Sequence, residues 1–175
     1  GGIYSEKSGI TNLALEGLMG VGSFFGALFV VLTSSLFPSD SQMPMYFAMI
    51  AAAAGGMVYS MLHGLLCIKF KANQVISGVV INILAMALTT FFTSQINNIV
   101  FGTPSEKFML GTSVRFTVPV ASEIPVLGAA FKQMYPFEII IAFIALIAWY
   151  ILYKTTYGMR LRACGENPNA VDAAG

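Results

Sequence analysis

The sequence predicts an all-α fold, a polytopic transmembrane helical bundle of four spans followed by a short helix at one membrane face. Three observations predict it. Of 175 residues, 57% are hydrophobic and 10% charged, and mean hydropathy is +0.77, against about 45–50% apolar and about 25% charged in ordinary soluble domains. The apolar residues fall into blocks close to the about 20 helical residues that a hydrocarbon core about 30 Å thick requires. Lysines and arginines gather near the span ends on one side, which gives the bundle an orientation.

The first span covers residues 13–37, with Glu16 near its start and Thr33-Ser34-Ser35 near its end, and the turn Pro38-Ser39-Asp40-Ser41 closes it. The second, 46–68, holds the run from Ala51 to Gly56 and the single histidine, His63. The third, 75–93, carries Ser77, Asn82 and Thr89. The fourth, 137–153, is the most uniformly apolar and has Tyr135 and Phe137 at one end and Trp149, Tyr150 and Tyr153 at the other, an aromatic belt pattern. Between the third and fourth spans, residues 94–136 read as a solvated extracytoplasmic loop broken by Gly102, Pro104, Gly111, Pro119, Pro125 and Gly128, with short elements at most, as around Val114 to Val120.

Lys69 and Lys71 lie in the second connection, and Lys154, Arg160 and Arg162 follow the fourth span; the first connection has no positive charge, and Lys107, Arg115 and Lys132 are spread along the third. The positive-inside rule therefore places residues 69–74 and 154–175 in the cytoplasm, and all four spans alternate without conflict. Net charge is +1, so neither nucleic acid nor an anionic surface is the expected partner. Cys67 and Cys164 match no metal or redox spacing. The chain starts Gly1-Gly2 with no cleavable leader pattern and is expected to be part of a longer protein, a piece that inserts but does not transport alone.

Helices in lipid associate through small residues that let backbones approach. Gly22 and Gly26 form one such pair, and Ala52, Gly56, Ser60 and Gly64 recur as a ridge. On the third span Gly78, Asn82, Ala85 and Thr89 share a face, with Ser77 beside it. Asn82 there either lines a solute pathway or bonds across helices. Asn12 is a plausible N-cap that puts Glu16 in the first helical turns, where the helix dipole favours a carboxylate; the neighbouring glycines Gly17, Gly20 and Gly22 would also permit a broken helix beside a solute path. His63 stands apart from any Asp, Glu or Cys at metal-ligand or catalytic spacing and reads as a packed or cavity-facing side chain. No metal site is expected. After the fourth span, Asn167 is suited to cap a helix beginning at Pro168 and ending by Gly175.

Three segments resemble the permease subunits of bacterial ABC importers of the nucleoside and simple-sugar class, within the branched-chain amino acid and ribose permease superfamily. Residues 4–17, YSEKSGITNLALEG, are similar to that family's ERSGVVNIALEG opening; residues 71–82, KANQVISGVVIN, to its ANQVISGVAIN block; residues 157–168, YGMRLRACGENP, to its GLRLRAVGENP block. Lys7 stands where the pattern has arginine, and Cys164 where it has a small aliphatic residue. The resemblance implies a multi-pass subunit of the cell membrane that forms an import pathway for nucleosides or related sugars with a second permease subunit. It also implies a cytoplasmic ABC ATPase that carries the ATP and magnesium, and an extracytoplasmic solute-binding lipoprotein. On this reading residues 168–174 are the coupling helix, flanked by Arg160, Arg162 and Glu166, with Gly165, Asn167 and Pro168 also part of the ATPase-coupling segment, and the solute passes the stripe of Asn82, Ser77 and Thr89, with Glu16 nearby. No catalytic residue is expected on this chain, and it has no G-x-x-x-x-G-K-[ST] phosphate loop, so ATP hydrolysis must come from a partner.

A secondary transporter would call for internal repeats or a buried ion site, and a membrane enzyme for a convergent nucleophile, base or metal cluster. Beyond Glu16 and His63 neither is legible. No aromatic and polar constellation can be read from the sequence as a nucleobase or sugar pocket.

Overall fold

The computed structural model describes residues 2–9, 12–38, 41, 43–108 and 136–174. Among the described residues seven α-helices follow one another: α1 (Gly2–Lys7), α2 (Leu15–Thr33), α3 (Met43–Gly64), α4 (Gln74–Phe101), α5 (Pro136–Lys154), α6 (Thr156–Glu166) and α7 (Pro168–Ala174). A 3₁₀ turn, Ser34–Leu36, extends α2, and a π-helical turn, Leu65–Lys69, extends α3. No strand occurs among the described residues.

Local chemistry sets the ends of these helices. Asn73 is extended and its side chain accepts from the Val75 and Ile76 amides at 2.9 and 3.3 Å, which starts α4. At the other end Gly102, at φ +70°, turns the chain in the left-handed region and returns its N–H to the Asn98 carbonyl. Asn12 accepts from the Ala14 amide at 3.0 Å, so α2 starts at Leu15 with Glu16 in its first turn. Asn167 accepts from the Ala170 amide at 3.1 Å and caps α7 with Pro168 in its first position. In the π turn the Phe70 amide reaches back to the Leu65 carbonyl, and Lys71 follows at φ +52°.

The third span is longer than its apolar block suggests. Helix α4 runs on to Phe101, so residues 94–101, read as the beginning of a solvated loop, are helical. The cause is Asn97, which is only 2% exposed and donates to the Ser105 and Lys107 carbonyls at 2.7 and 2.9 Å. It folds the chain after Gly102 back against α4. The stretch Val114 to Val120, with the rest of the loop from 109 to 135, and the terminal Gly175 lie outside the described residues.

Helix α2 is the hub, packed against α3 on one side and α4 on the other. Between α2 and α3 the spacing is set by glycine: a Cβ on Gly22 would lie 3.2 Å from the Ala52 carbonyl, and one on Gly26 would lie 3.1 Å from the Ala48 carbonyl. The buried apolar side chains are few and mostly small, Ala14, Val21, Ala48 and Ala85 with Ile81 and Leu152, while Ile50, Ile83 and Met86 point outward. Small inside and large outside is the reverse of a soluble core, and it fits a bundle whose surroundings are hydrocarbon. Helices α2, α3 with its π turn, and α4 are each long and apolar enough to cross a membrane; α5 makes a further candidate together with α6, across a bend of 70°. Gly158 sits in that bend, where any Cβ would strike the Ile151 and Leu152 carbonyls.

Candidate functional site

The polar residues singled out from the sequence collect at two places. The first is the end of the bundle that carries Lys69, Lys71 and Arg160. There Asn82 is a two-point tie: its Oδ1 accepts from the Gly17 amide at 2.7 Å and its Nδ2 donates to the Leu13 carbonyl at 2.7 Å. Both partners are backbone groups at the first turn of α2, where amides and the preceding carbonyl lack intrahelical partners. Gly78, one turn earlier on α4, makes room for this strand of chain, since a Cβ there would sit 2.9 Å from the Leu13 Cβ. Gly17 is equally committed, with Asn82 Oδ1 and the Ile81 carbonyl against it.

The same N-terminal segment is held from its other side. Gly9 turns at φ +79°, and Gly165 of α6 presses on it; a Cβ at Gly9 would lie 3.2 Å from the Gly165 Cα, and a Cβ at Gly165 would collide with the Lys7 carbonyl. Tyr4 adds a hydrogen bond of 2.9 Å from its hydroxyl to the Ala148 carbonyl of α5. Three segments far apart in sequence therefore meet in one junction, residues 4–9 against 157–168 and residues 12–17 against 71–82. Sequence reasoning could see each segment but not that glycines match them face to face.

Beyond the junction, α6 stands at its bend with Arg162 folded over the Tyr153 ring at 5.1 Å and its Nε donating to the Gly158 carbonyl at 3.4 Å. Arg160, Glu166, Asn167 and Pro168 are exposed, as are Asn169, Ala170 and Asp172 on α7. Glu16 is exposed at the start of α2. Ser77 is buried and paired with His63, Oγ to Nδ1 at 2.9 Å, and Cys67 Sγ lies 3.9 Å from both ring nitrogens. The expectation that His63 stands apart from any cysteine is thus corrected: Cys67 follows it by four residues in a helical stretch, and that spacing puts the two side chains on one face. No group of three or more metal-ligating side chains forms among the described residues.

The helix-packing residues divide as well. Gly22, Gly26 and Gly56 meet a neighbouring helix, Gly56 at an ordinary 3.6 Å from the Leu18 carbonyl. Ser60 bonds back to Met57 of its own helix, and Gly64 faces open space. The contact ridge of α3 is Ala48, Ala52, Gly55 and Gly56, a register that small-residue spacing alone cannot choose.

The second place lies toward the opposite end. A cavity of about 330 Å³ opens between Ser23 and Phe24 of α2, Thr89, Thr90 and Thr93 of α4, and Phe108, with Glu106 and Lys107 at its rim segment. Thr89 donates to the Ala85 carbonyl at 2.8 Å. Thr93 is 6% exposed and its hydroxyl has no partner among the described residues. Asn97 Oδ1, a turn further on, is buried without a partner. The polar face of α4 continues past Thr89 through Thr93 to Asn97, which a span ending at 93 concealed. A second cavity, about 350 Å³ and mainly apolar, lies between α2, α3 and α4 around Phe25, Tyr59 and Phe92.

Apolar helices joined by small residues, with polar groups confined to a tied end and a hydroxyl-lined cavity, define a multi-pass helical membrane protein. The chain belongs to the family described as branched-chain amino acid transport system / permease component, which matches residues 1–175. It is 35% identical over its whole length to the guanosine ABC transporter permease protein NupQ of Bacillus subtilis and 35% identical to the nucleoside ABC transporter permease protein NupC of Lactococcus lactis, covering 53% of each. With the guanosine ABC transporter permease protein NupP of Bacillus subtilis it shares 26% identity over 98% of the chain and 46% of that protein. The chain spans about half the length of these curated relatives. No solved structure matches it.

Proposed function

We propose that the chain is the membrane-spanning core of a permease subunit in an ATP-driven importer of nucleosides or related sugars. One observation carries the reading: the three family-like segments converge on a single junction at the basic end, with Gly165 packed on Lys7 and Gly9 and the capped helix α7 exposed beside it. A tie of that kind transmits displacement. Force applied at α7 passes through Gly165 to the 4–17 segment, and through Asn82 to α4, which carries the far cavity. The basic end faces the cytoplasm, where a partner ATPase binds ATP and magnesium and docks on α7; Arg160, Arg162 and Glu166 flank that contact. A second permease subunit completes the pathway and an extracytoplasmic lipoprotein delivers the solute.

The test is uptake by the full-length permease reconstituted with its ATPase, second permease and lipoprotein. Uptake of labelled guanosine that requires the ATPase subunit and ATP is expected. Uptake that persists without the ATPase would overturn the reading in favour of a secondary transporter.

A further inference from the structure

We propose that the cavity between α2, α4 and the 102–108 turn is a receiving pocket for a ribonucleoside, with the base laid on a phenylalanine wall and the ribose held by threonine hydroxyls. The inference rests on the importer reading for direction of travel, and on the cavity itself for ligand class. At about 330 Å³ it lies at the lower end of the about 300–1,000 Å³ found for small-molecule sites. It is lined by side chains of α2, α4 and the 102–108 turn, and its composition is mixed where the neighbouring cavity is almost wholly apolar.

The wall is Phe24 with Phe108, ring centroids 5.8 Å apart and tilted by 36°. Rings this close touch one another, so a planar base lies against them and not between them. Phe24 is buttressed from behind by Phe25 at 5.5 Å, edge to face, and Phe92 at 6.5 Å, so its plane is held before a ligand arrives. Base stacking on an aromatic ring contributes about 1–3 kcal/mol, and a simple sugar has no flat face to use it.

Opposite the rings, Thr93 supplies the observation that points to a ligand. Its side chain is more than nine-tenths buried, it lines the cavity, and its hydroxyl lacks a partner among the described residues. A hydroxyl that opens onto the cavity and bonds nothing in the described bundle is free to meet a polar group that enters there. Thr90 and Ser23, also on the lining, have no partner there either, so three hydroxyls are available for the vicinal diol of a ribose. Glu106 offers an acceptor and Lys107 a donor at the rim, matched to ring N–H and carbonyl groups of a purine such as guanine.

Asn97 positions the lid of this pocket. Its amide nitrogen holds the Ser105 and Lys107 carbonyls and so places Phe108 over the cavity.

The experiment is uptake kinetics of the full-length importer complex, with equilibrium binding of labelled guanosine to the purified full-length permease as an independent readout. Phe108→Ala should raise KM for guanosine about tenfold or more at a nearly unchanged maximal rate, and Phe108→Tyr should restore it. Thr93→Val, which keeps shape and removes the hydroxyl, should raise KM about fivefold. Unchanged KM and unchanged binding in both Phe108→Ala and Thr93→Val overturn the pocket while leaving the importer standing. A wild-type complex that imports ribose with ATP but not guanosine overturns the base wall in the same way. If uptake proves independent of the ATPase, the importer reading falls, and the pocket stands or falls on whether Phe108→Ala abolishes guanosine binding.

Discussion

Asn82 and Thr93 lie on one face of α4 and are used in opposite ways. Half-buried Asn82 has both ends of its amide engaged with the start of α2, whereas the more deeply buried Thr93 has a hydroxyl that faces a cavity with no partner among the described residues. The same contrast separates the two ends of the bundle. At the basic end glycines abut backbone and the Asn82 amide is bonded at both its oxygen and its nitrogen; toward the other end hydroxyls, a buried amide oxygen and two phenylalanine rings surround empty space. A polar residue in a membrane helix is glue when its bonds are filled from within and a candidate site when they are not. Residue type does not distinguish the two cases, but bookkeeping of partners does.

The largest effect should come from the tightest point of the tied end. Gly165→Val drives a branched side chain into the Lys7 carbonyl and the Gly9 amide, which are backbone and cannot rotate aside. A loss of about 3 kcal/mol, at the top of the usual range for overpacking, is expected. In the full-length importer this should appear as a lowered melting temperature of the permease and a more than tenfold fall in uptake. Glu166→Gln, on the exposed neighbour, should leave the melting temperature unchanged, so that any loss of uptake or of ATPase co-purification there reports docking alone. A Gly165→Val protein that melts like wild type would remove the junction from consideration as a mechanical link.

Next in size is the comparison within α4. Asn82→Leu strands the Gly17 amide and the Leu13 carbonyl at the start of α2 and should lower stability by about 2 kcal/mol. Thr93→Val removes a hydroxyl that nothing holds and should change stability by less than about 0.5 kcal/mol, or raise it slightly. Thermal unfolding of the purified full-length permease measures both. Equal destabilisation by the two would mean that the cavity hydroxyls are structural after all and would erase the difference between the ends.

The four apolar helices, their order, the short helix after Asn167 and the cap residues Asn12 and Asn167 were legible in the sequence because they depend on local chemistry: apolar runs, short polar side chains that accept from nearby amides, and proline at a first helical position; the short helices α1 and α6 and the Asn73 cap were not read there. Helix α4 was cut short at 93 because polar residues after it suggested solvent, when Asn97 was in fact buried by a turn that only the tertiary structure supplies. The junction was half legible. Its three segments stand out as sequence blocks, yet Asn82 could be read as tie or pathway until its two backbone partners were located. The phenylalanine and threonine cavity was not legible at all, since Phe24, Thr93 and Phe108 come from separate elements with no shared spacing. His63 and Cys67 are neighbours through their i,i+4 spacing on a continuous helical stretch, a proximity that the sequence offered and that metal or catalytic spacing passes over.

The smallest predicted effect concerns two glycines that look alike in sequence. Gly26 and Gly64 both belong to small-residue ridges. At Gly26 an added Cβ would sit 3.1 Å from the Ala48 carbonyl and 3.2 Å from the Ala52 Cβ, so Gly26→Ala has to part α2 from α3 by a few tenths of an ångström. That should lower stability by about 1 kcal/mol, the low end for an extra methyl in a close-packed contact. Gly64 has ordinary helical dihedrals, φ −59° and ψ −42°, and nothing within 4 Å of its missing Cβ. Gly64→Ala restricts the unfolded chain without meeting a neighbour and should stabilise by about 0.4–1 kcal/mol. The two substitutions add the same methyl group and should move the melting temperature of the full-length permease in opposite directions. If Gly64→Ala also lowers it, Gly64 meets a surface in the assembled importer, and the tied end reaches one turn further along α3 than the packing of this chain alone shows.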